Sequence, residues 1–280
     1  MAACVKYLGR DIPSGETIFV RGVISTGLLT LLAWRVGGLR LLKPAAWRLH
    51  VLRSLSGTTS MFCLYLALTS IPLAELTAIT YTAPMFLTVL AMLFLGERIH
   101  RYRWTALGAG FLGVLIIIGP QLSVRAGDSV GVAEALAAAV FSALAMTFLR
   151  RMSGTGEHAI TITFYFSLTA TAAAVCTAFA GWPMPSPTQW LVIVAAGVFG
   201  VLGQLLMTFS YRYAEASTIA PLDYTSLLLA LAYGYFLFAE TPLISTWIGA
   251  PLVISAGLII LWREYRNLPK PLVPGAASRA

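Results

Sequence analysis

Charge is what this chain has least of. Only 11% of its 280 residues are charged, while 58% are hydrophobic and the mean hydropathy is +0.81. A soluble domain carries about 25% charged residues, so a water-facing surface cannot be assembled from this composition. Histidine and cysteine are scarce too, at three each. Cys4, Cys63 and Cys176 stand apart in apolar sequence, without the paired spacing of a zinc site or redox couple, and read as small packing residues. His50, His100 and His158 have no second His or carboxylate at i+3 or i+4, so neither a metalloprotease helix nor an intramembrane Ser/His dyad can be assembled. No Gly-rich loop of the GxxxxGK[ST] form occurs, which leaves ATP hydrolysis unsupported. An enzyme is not expected, nor any metal or cofactor. Residues 1–6 also lack the basic and then apolar order of a cleavable signal peptide.

What is abundant is long apolar runs. Stretches of roughly 20 residues, enough to cross a bilayer core, can be drawn at 17–36, 54–72, 74–95, 104–122, 129–149, 159–181, 189–211, 216–238 and 243–262. The expected fold class is an all-α polytopic membrane protein with nine complete transmembrane helices joined by short loops. Of the 19 basic residues, all but Lys6, Arg10, Arg21 and Arg125 fall on alternate loops or on the tail after Trp262. That side, with the C-terminus, is expected to be cytoplasmic. The same placement accounts for the net charge of +8 without a nucleic-acid partner.

The stretch from Ile71 to Ile118 returns 143 residues later, from Ala214 to Leu261. Tyr81-Thr82 falls on Tyr224-Thr225, Glu97 on Glu240, Trp104 on Trp247, and Leu115-Ile116-Ile117 on Leu258-Ile259-Ile260. The loop after the first copy's Glu97 lies on the basic side and that after Glu240 on the other, so the two units are inverted. Inverted bundles with a site near the midplane are a transporter architecture. The expected division is 1–122 for the first repeat, 123–262 for the second and 263–280 for a disordered cytoplasmic tail. The span at 129–149 has almost no counterpart at the start, where Met1–Leu8 reads as the end of a first helix. The chain is expected either to be shortened from a ten-helix pattern or to be a nine-helix form with its N-terminus outside.

Ionisable groups inside a span are functional candidates by default. Arg21, Glu134 and Asp223 are these. Arg21 has Phe164 as its repeat partner and Asp223 has Thr80, so neither charge repeats. A guanidinium at Arg21 would hold a substrate carboxylate or pair with Glu134; the alternatives are a snorkelling Arg21 and a Glu134 that only faces a helix N-terminus. Asp223 follows Pro221 and precedes Tyr224. A carboxylate beside a proline break suits proton coupling, or else satisfies the break. Thr77, Tyr81, Pro84 and Thr88 fall on one helical face that is too polar for lipid, with Pro84 a counterpart of the Pro221 break; that face lines a cavity or supplies interhelical hydrogen bonds. On the 189–211 span Gly197 and Gly200 suit close helix contact and Gln204 could meet a ligand. Trp34, Trp104, Trp182, Trp190 and Trp247 suit interfacial anchoring. Small residues recur at Ala106, Gly110, Ala109, Gly113 and Gly249.

The residues Phe19-Val20-Arg21, Pro72 to Pro84, Leu95-Gly96-Glu97-Arg98, Gly108 to Gly113 and Arg212 to Thr225 together make the chain similar to the EamA-type members of the drug/metabolite transporter superfamily. The resemblance covers nearly the whole chain. It implies two inverted five-helix repeats, a bacterial inner-membrane location, and ATP-independent export or import of amino acids, other polar metabolites or drugs. The partners expected are a small-molecule substrate, the lipid bilayer and, as a further option, a second copy of the chain. A cation-selective multidrug exporter, and more remotely a channel or structural membrane protein, are the alternatives.

Overall fold

The computed structural model describes residues 1–9, 11–95, 105, 108–113, 115–117, 126–153, 155–213, 225–239 and 243–267. Among the described residues every regular element is helical: α1 Ala2–Leu8, α2 Ser14–Gly37, α3 Trp47–Ser70, α4 Leu73–Thr80, α5 Ala83–Leu95, α6 Gly108–Ile117, α7 Ala126–Ser153, α8 Ala159–Val175, α9 Pro187–Tyr213, α10 Thr225–Phe238 and α11 Ile244–Asn267, with 3-10 turns at Leu39–Leu42 and Cys176–Ala180. Hydrocarbon offers the backbone no hydrogen bonds, so helices that satisfy their own are what such a sequence can form. Among the described residues, six segments are long and apolar enough to cross a membrane: Ser14–Gly37, Trp47–Ser70, Glu75–Phe94, Ser129–Met152, Ala159–Phe179 and Pro187–Phe209. Gly108–Ile117 and Ile244–Ser255 are shorter apolar helices.

Three boundaries differ from the sequence reading. Helix α3 begins at Trp47, so Arg48, His50 and Arg53 lie on a helix and not in a loop. A charge-based window stops short there because the buried Glu157 caps this end from another part of the chain. Its Oε1 accepts from the amides of Ala45 and Ala46 at 2.6 and 2.9 Å. The 74–95 span is two helices interrupted at Tyr81-Thr82. Pro84 has no N–H to offer the carbonyl of Thr80, so the helical ladder is interrupted there. At the other end of the chain, α11 runs to Asn267, five residues into the tail expected to be disordered.

Packing follows residue size. Helices α3 and α7 run side by side, where Ala135, Ala138, Ala139 and Ala143 are buried and Ser60 Oγ donates to the Ala138 carbonyl at 2.8 Å. Helix α2 meets α8 and the 3-10 turn after it through Gly22 and Gly15, seven residues apart, on which a Cβ would collide with Thr171 and Thr177 respectively. The core joins Ile18 of α2, Met61, Tyr65 and Leu68 of α3, Leu76 and Ile79 of α4, Val132 of α7 and Phe166 of α8. Leu31, Trp34, Leu93, Phe111, Leu191, Phe199 and Phe236 stay exposed, as a lipid-facing rim requires. A groove of about 580 Å³ along α2, between Val23 and Leu39, has an almost wholly apolar lining and belongs to that rim.

Candidate functional site

Helix α2 carries Arg21 two turns in from Ser14, and the bundle buries it to 7% exposure. It does not snorkel. Its Nη1 donates to the Tyr65 phenol at 2.9 Å and reaches the Met61 sulfur at 2.8 Å, both on α3. Gly200 of α9 closes the third side, where a Cβ would lie 2.5 Å from Arg21 Nε. The backbone of α9 comes this close only because residue 200 has no side chain. Both hydrogen-bond partners of Arg21 are neutral, so among the described residues the guanidinium has no bonded counter-charge. Such a group costs several kcal/mol unless something compensates it.

Beside Arg21 is a small pocket of about 10 Å³, lined by Ile18, Arg21, Gly22, Ser25, Met61, Phe166, Ser167 and Ala170. That is room for about one water molecule. A polar anchor thus faces a narrow space between α2, α3 and α8.

Glu134 is elsewhere. Gly131 packs on Ser70 and Ile71, and Ala138 accepts from Ser60, so the α3–α7 register sets Glu134 at the level of Cys63. Cys63 lies about 160–200° around α3 from Met61 and Tyr65 at 100° per residue. Helix α3 therefore stands between Arg21 and Glu134, and the expected ion pair is not formed. Glu134 Oε2 is buried without a hydrogen-bond partner. Thr77 is half-buried with its hydroxyl donated back to the Leu73 carbonyl at 2.7 Å, and Tyr81, also half-buried, caps α4 and packs on the core. Gln204 is half-buried one turn beyond Gly200, and Gly197 packs against Ile24. Pro221, Asp223 and Tyr224 lie outside the described residues, as do the side chains of Pro84 and Thr88.

Five ionisable residues emerge that composition alone did not single out. Glu16 and Glu75 are buried in the first turns of α2 and α4, where the helix dipole favours an anion. Arg53 is 4% exposed and lies 4.8 Å from the Phe166 ring centroid. His50 meets Glu157 at 3.1 Å, both side chains being nearly inaccessible. Burial pushes the Glu157 carboxyl up, but the Ala46 amide, His50 and the Ala45 amide together bring it below the ordinary glutamate range. Tyr165 stacks on His50 and donates to the Leu42 carbonyl, which ties α8 to the loop before α3. Among the described residues no group of three His, Cys, Asp or Glu could hold a metal. Trp34 and Trp247 are exposed at helix ends, while Trp182 turns inward onto Phe19 at 5.1 Å.

The long apolar helices and their lipid-facing rim define a multi-pass membrane protein. The EamA-like transporter family model matches residues 1–119 and 129–262, and the chain belongs to that family. It is 31% identical to the pseudopaline exporter CntI of Pseudomonas aeruginosa strain UCBPP-PA14, over 91% of this chain and 89% of that one. It is 32% identical to a riboflavin transporter of Rhizobium johnstonii, over 80% and 73%. An S-adenosylmethionine uptake transporter of Rickettsia felis is 26% identical, over 95% and 88%. A solved crystal structure at 18% identity superposes with a TM-score of 0.66 over 95% of this chain and 96% of its own, which shows the shared fold.

Proposed function

We propose that the chain is a secondary active transporter, exporting or exchanging small polar organic metabolites such as amino acids or other zwitterions by alternating access. One observation carries this reading: Arg21 is buried beside a small cavity and, among the described residues, has only neutral hydrogen-bond partners. A guanidinium so held is compensated when a substrate carboxylate enters. The relatives' names support a small-molecule cargo and include both an exporter and uptake transporters. In this reading the chain comprises two inverted repeats, 1–122 and 123–262, with nine complete spans in a ten-helix pattern. The two separate matches to the family model support the duplication. The basic side and the C-terminus are cytoplasmic, in a bacterial inner membrane, and Asp223 beside Pro221 couples transport to protons, with Tyr224, Thr77, Tyr81 and Gln204 contributing to the substrate path.

The test is uptake of a mixed metabolite pool into proteoliposomes, with and without an imposed pH gradient, read by mass spectrometry. Saturable flux with trans-stimulation, lost in Arg21→Gln for carboxylate-bearing substrates, supports the reading. Non-saturating flux indicates a channel. Asp223→Asn should remove the pH dependence while leaving the protein folded, and unchanged pH-driven flux would sink the coupling role. A second reading rests on the buried, unpartnered Oε2 of Glu134, which favours a cationic cargo and a multidrug exporter. It predicts flux of lipophilic cations that Glu134→Gln abolishes and Arg21→Gln leaves intact.

A further inference from the structure

Helix α2 places Ser25 one turn beyond Arg21 on the same face, and α8 brings Ser167 to the same pocket from the other wall. The helices approach this closely because residue 22 is glycine, on which a Cβ would collide with Thr171. Of the residues that line the pocket, Arg21, Ser25 and Ser167 alone carry polar side chains, and all three are more than nine-tenths buried. The space holds about one water molecule, so the groups around it converge on a single small occupant. Their hydrogen-bonding capacity is not spent elsewhere. Thr163 and Thr171 on α8 donate to the carbonyl four residues back, at 2.9 and 2.8 Å. Among the described residues the Ser25 and Ser167 hydroxyls have no such partner, and Arg21 is bonded through Nη1 alone. Charge then decides what fits. No carboxylate lines the pocket, and Phe166, which does, has its ring centroid 4.8 Å from the Arg53 guanidinium carbon. A second buried cation thus adds to a positive potential that the low-dielectric surroundings screen weakly. A water molecule would satisfy the hydroxyls and leave the charge, whereas an anion answers both. A carboxylate is larger than the space between the helices as they pack here; a halide ion is only slightly larger than water.

We propose that Arg21, Ser25 and Ser167 form a binding site for a single halide ion, chloride under ordinary conditions, which is the counter-ion of Arg21 until a substrate carboxylate replaces it. One anion is exchanged for another, so release of the carboxylate does not leave a bare cation in the bundle. The displacement step rests on the transport reading given above; halide binding itself does not, and its test does not require transport.

The experiment uses the purified full chain in lipid nanodiscs. Thermal unfolding is followed in sodium chloride, in sodium bromide and in sodium sulfate at matched ionic strength, and chloride binding is read separately from the nuclear magnetic resonance line width of the ion. Chloride and bromide should raise the unfolding midpoint along a saturable curve, and sulfate, too large for the pocket, should not. The chloride line should broaden in the presence of the protein, and acetate should narrow it again by displacement. Ser25→Ala together with Ser167→Ala keeps the charge and should weaken chloride binding about tenfold or more. Arg21→Gln should abolish it; should that variant fail to fold, the serine pair decides alone, with its unfolding midpoint in sulfate as the check on folding. Equal stabilisation by sulfate and chloride, or an unchanged chloride affinity in the double serine variant, overturns the proposal. Carboxylate flux without chloride binding would sink the halide site and leave the transport reading standing. Chloride binding that acetate cannot displace would instead keep the halide site and remove Arg21 as the carboxylate anchor.

Discussion

Arg21 on α2 donates through Nη1 to the phenol oxygen of Tyr65 on α3 at 2.9 Å, and that bond fixes where the guanidinium points. Tyr65 is itself fully buried, so the phenol has no water to exchange for this partner. Tyr65→Phe should leave the cation in place but free to rotate. A hydrogen bond to a charged group contributes about 1.5–3 kcal/mol, so apparent affinity for a carboxylate substrate should fall by about 10- to 100-fold. Arg21→Lys keeps the charge yet loses the planar fork, and should transport more slowly than the parent. Proteoliposome uptake at graded substrate concentration separates these effects. Equal kinetics for Tyr65→Phe and the parent protein would show that the phenol does not orient the anchor.

Gly200 permits a test that leaves the charge untouched. A Cβ at that position would sit 2.5 Å from Arg21 Nε and 3.2 Å from Met1 Sδ. Gly200→Ala should therefore push the guanidinium off its seat and lower uptake, while its helix keeps or improves its propensity by about 1 kcal/mol. Gly203 on the same helix has open space around it, so Gly203→Ala is the matched control and should transport normally. A loss of uptake in both variants would point to helix stiffness and not to the arginine.

Arg21 was legible because a charge inside an apolar run is conspicuous in one dimension. Arg53 was not, because it falls at the edge of a hydropathy window, and the edge was drawn by the charge itself. What extends α3 back to Trp47 is Glu157, distant in sequence, and no local pattern announces a cap supplied from across the fold. The break at Tyr81-Thr82 was readable from Pro84, whose missing N–H acts on its own helix. The α3 barrier between Arg21 and Glu134 was not, since it depends on the register of α3 against α7. Local chemistry could be read from the chain, whereas pairing between helices required the fold.

Glu157 gives the bundle a pH dependence whose sign can be worked out. The Ala45 and Ala46 amides and His50 hold its folded carboxyl below the unfolded glutamate value. Its contribution to stability is then full above the unfolded value and disappears as the pH falls through the folded one. Thermal unfolding in detergent should show a midpoint that drops in the acid range for the parent protein. Glu157→Gln, which cannot take up that proton, should start lower at neutral pH by about 1 kcal/mol from the weakened cap and lose less on acidification. Parallel pH profiles for the two proteins would remove Glu157 from the acid response.

The α6–α11 crossing has almost no tolerance for added volume. A Cβ on Gly113 would lie 2.8 Å from the Gly249 carbonyl oxygen, and a Cβ on Gly249 would lie 2.5 Å from that of Gly113 and 2.5 Å from Ile117 Cγ1. Backbone atoms cannot rotate away as a side chain can, so the helices themselves must part. Gly249→Ala should destabilise the bundle by about 1–3 kcal/mol, seen as a lower unfolding temperature. Gly108, one turn earlier on α6, has nothing within 4 Å of such a Cβ. Gly108→Ala should consequently match the parent protein or exceed it slightly, since alanine is the better helix former. If Gly249→Ala proves equally benign, the two helices do not meet through these glycines in the membrane, and the contact between the segments 108–117 and 244–267 must be made by other residues.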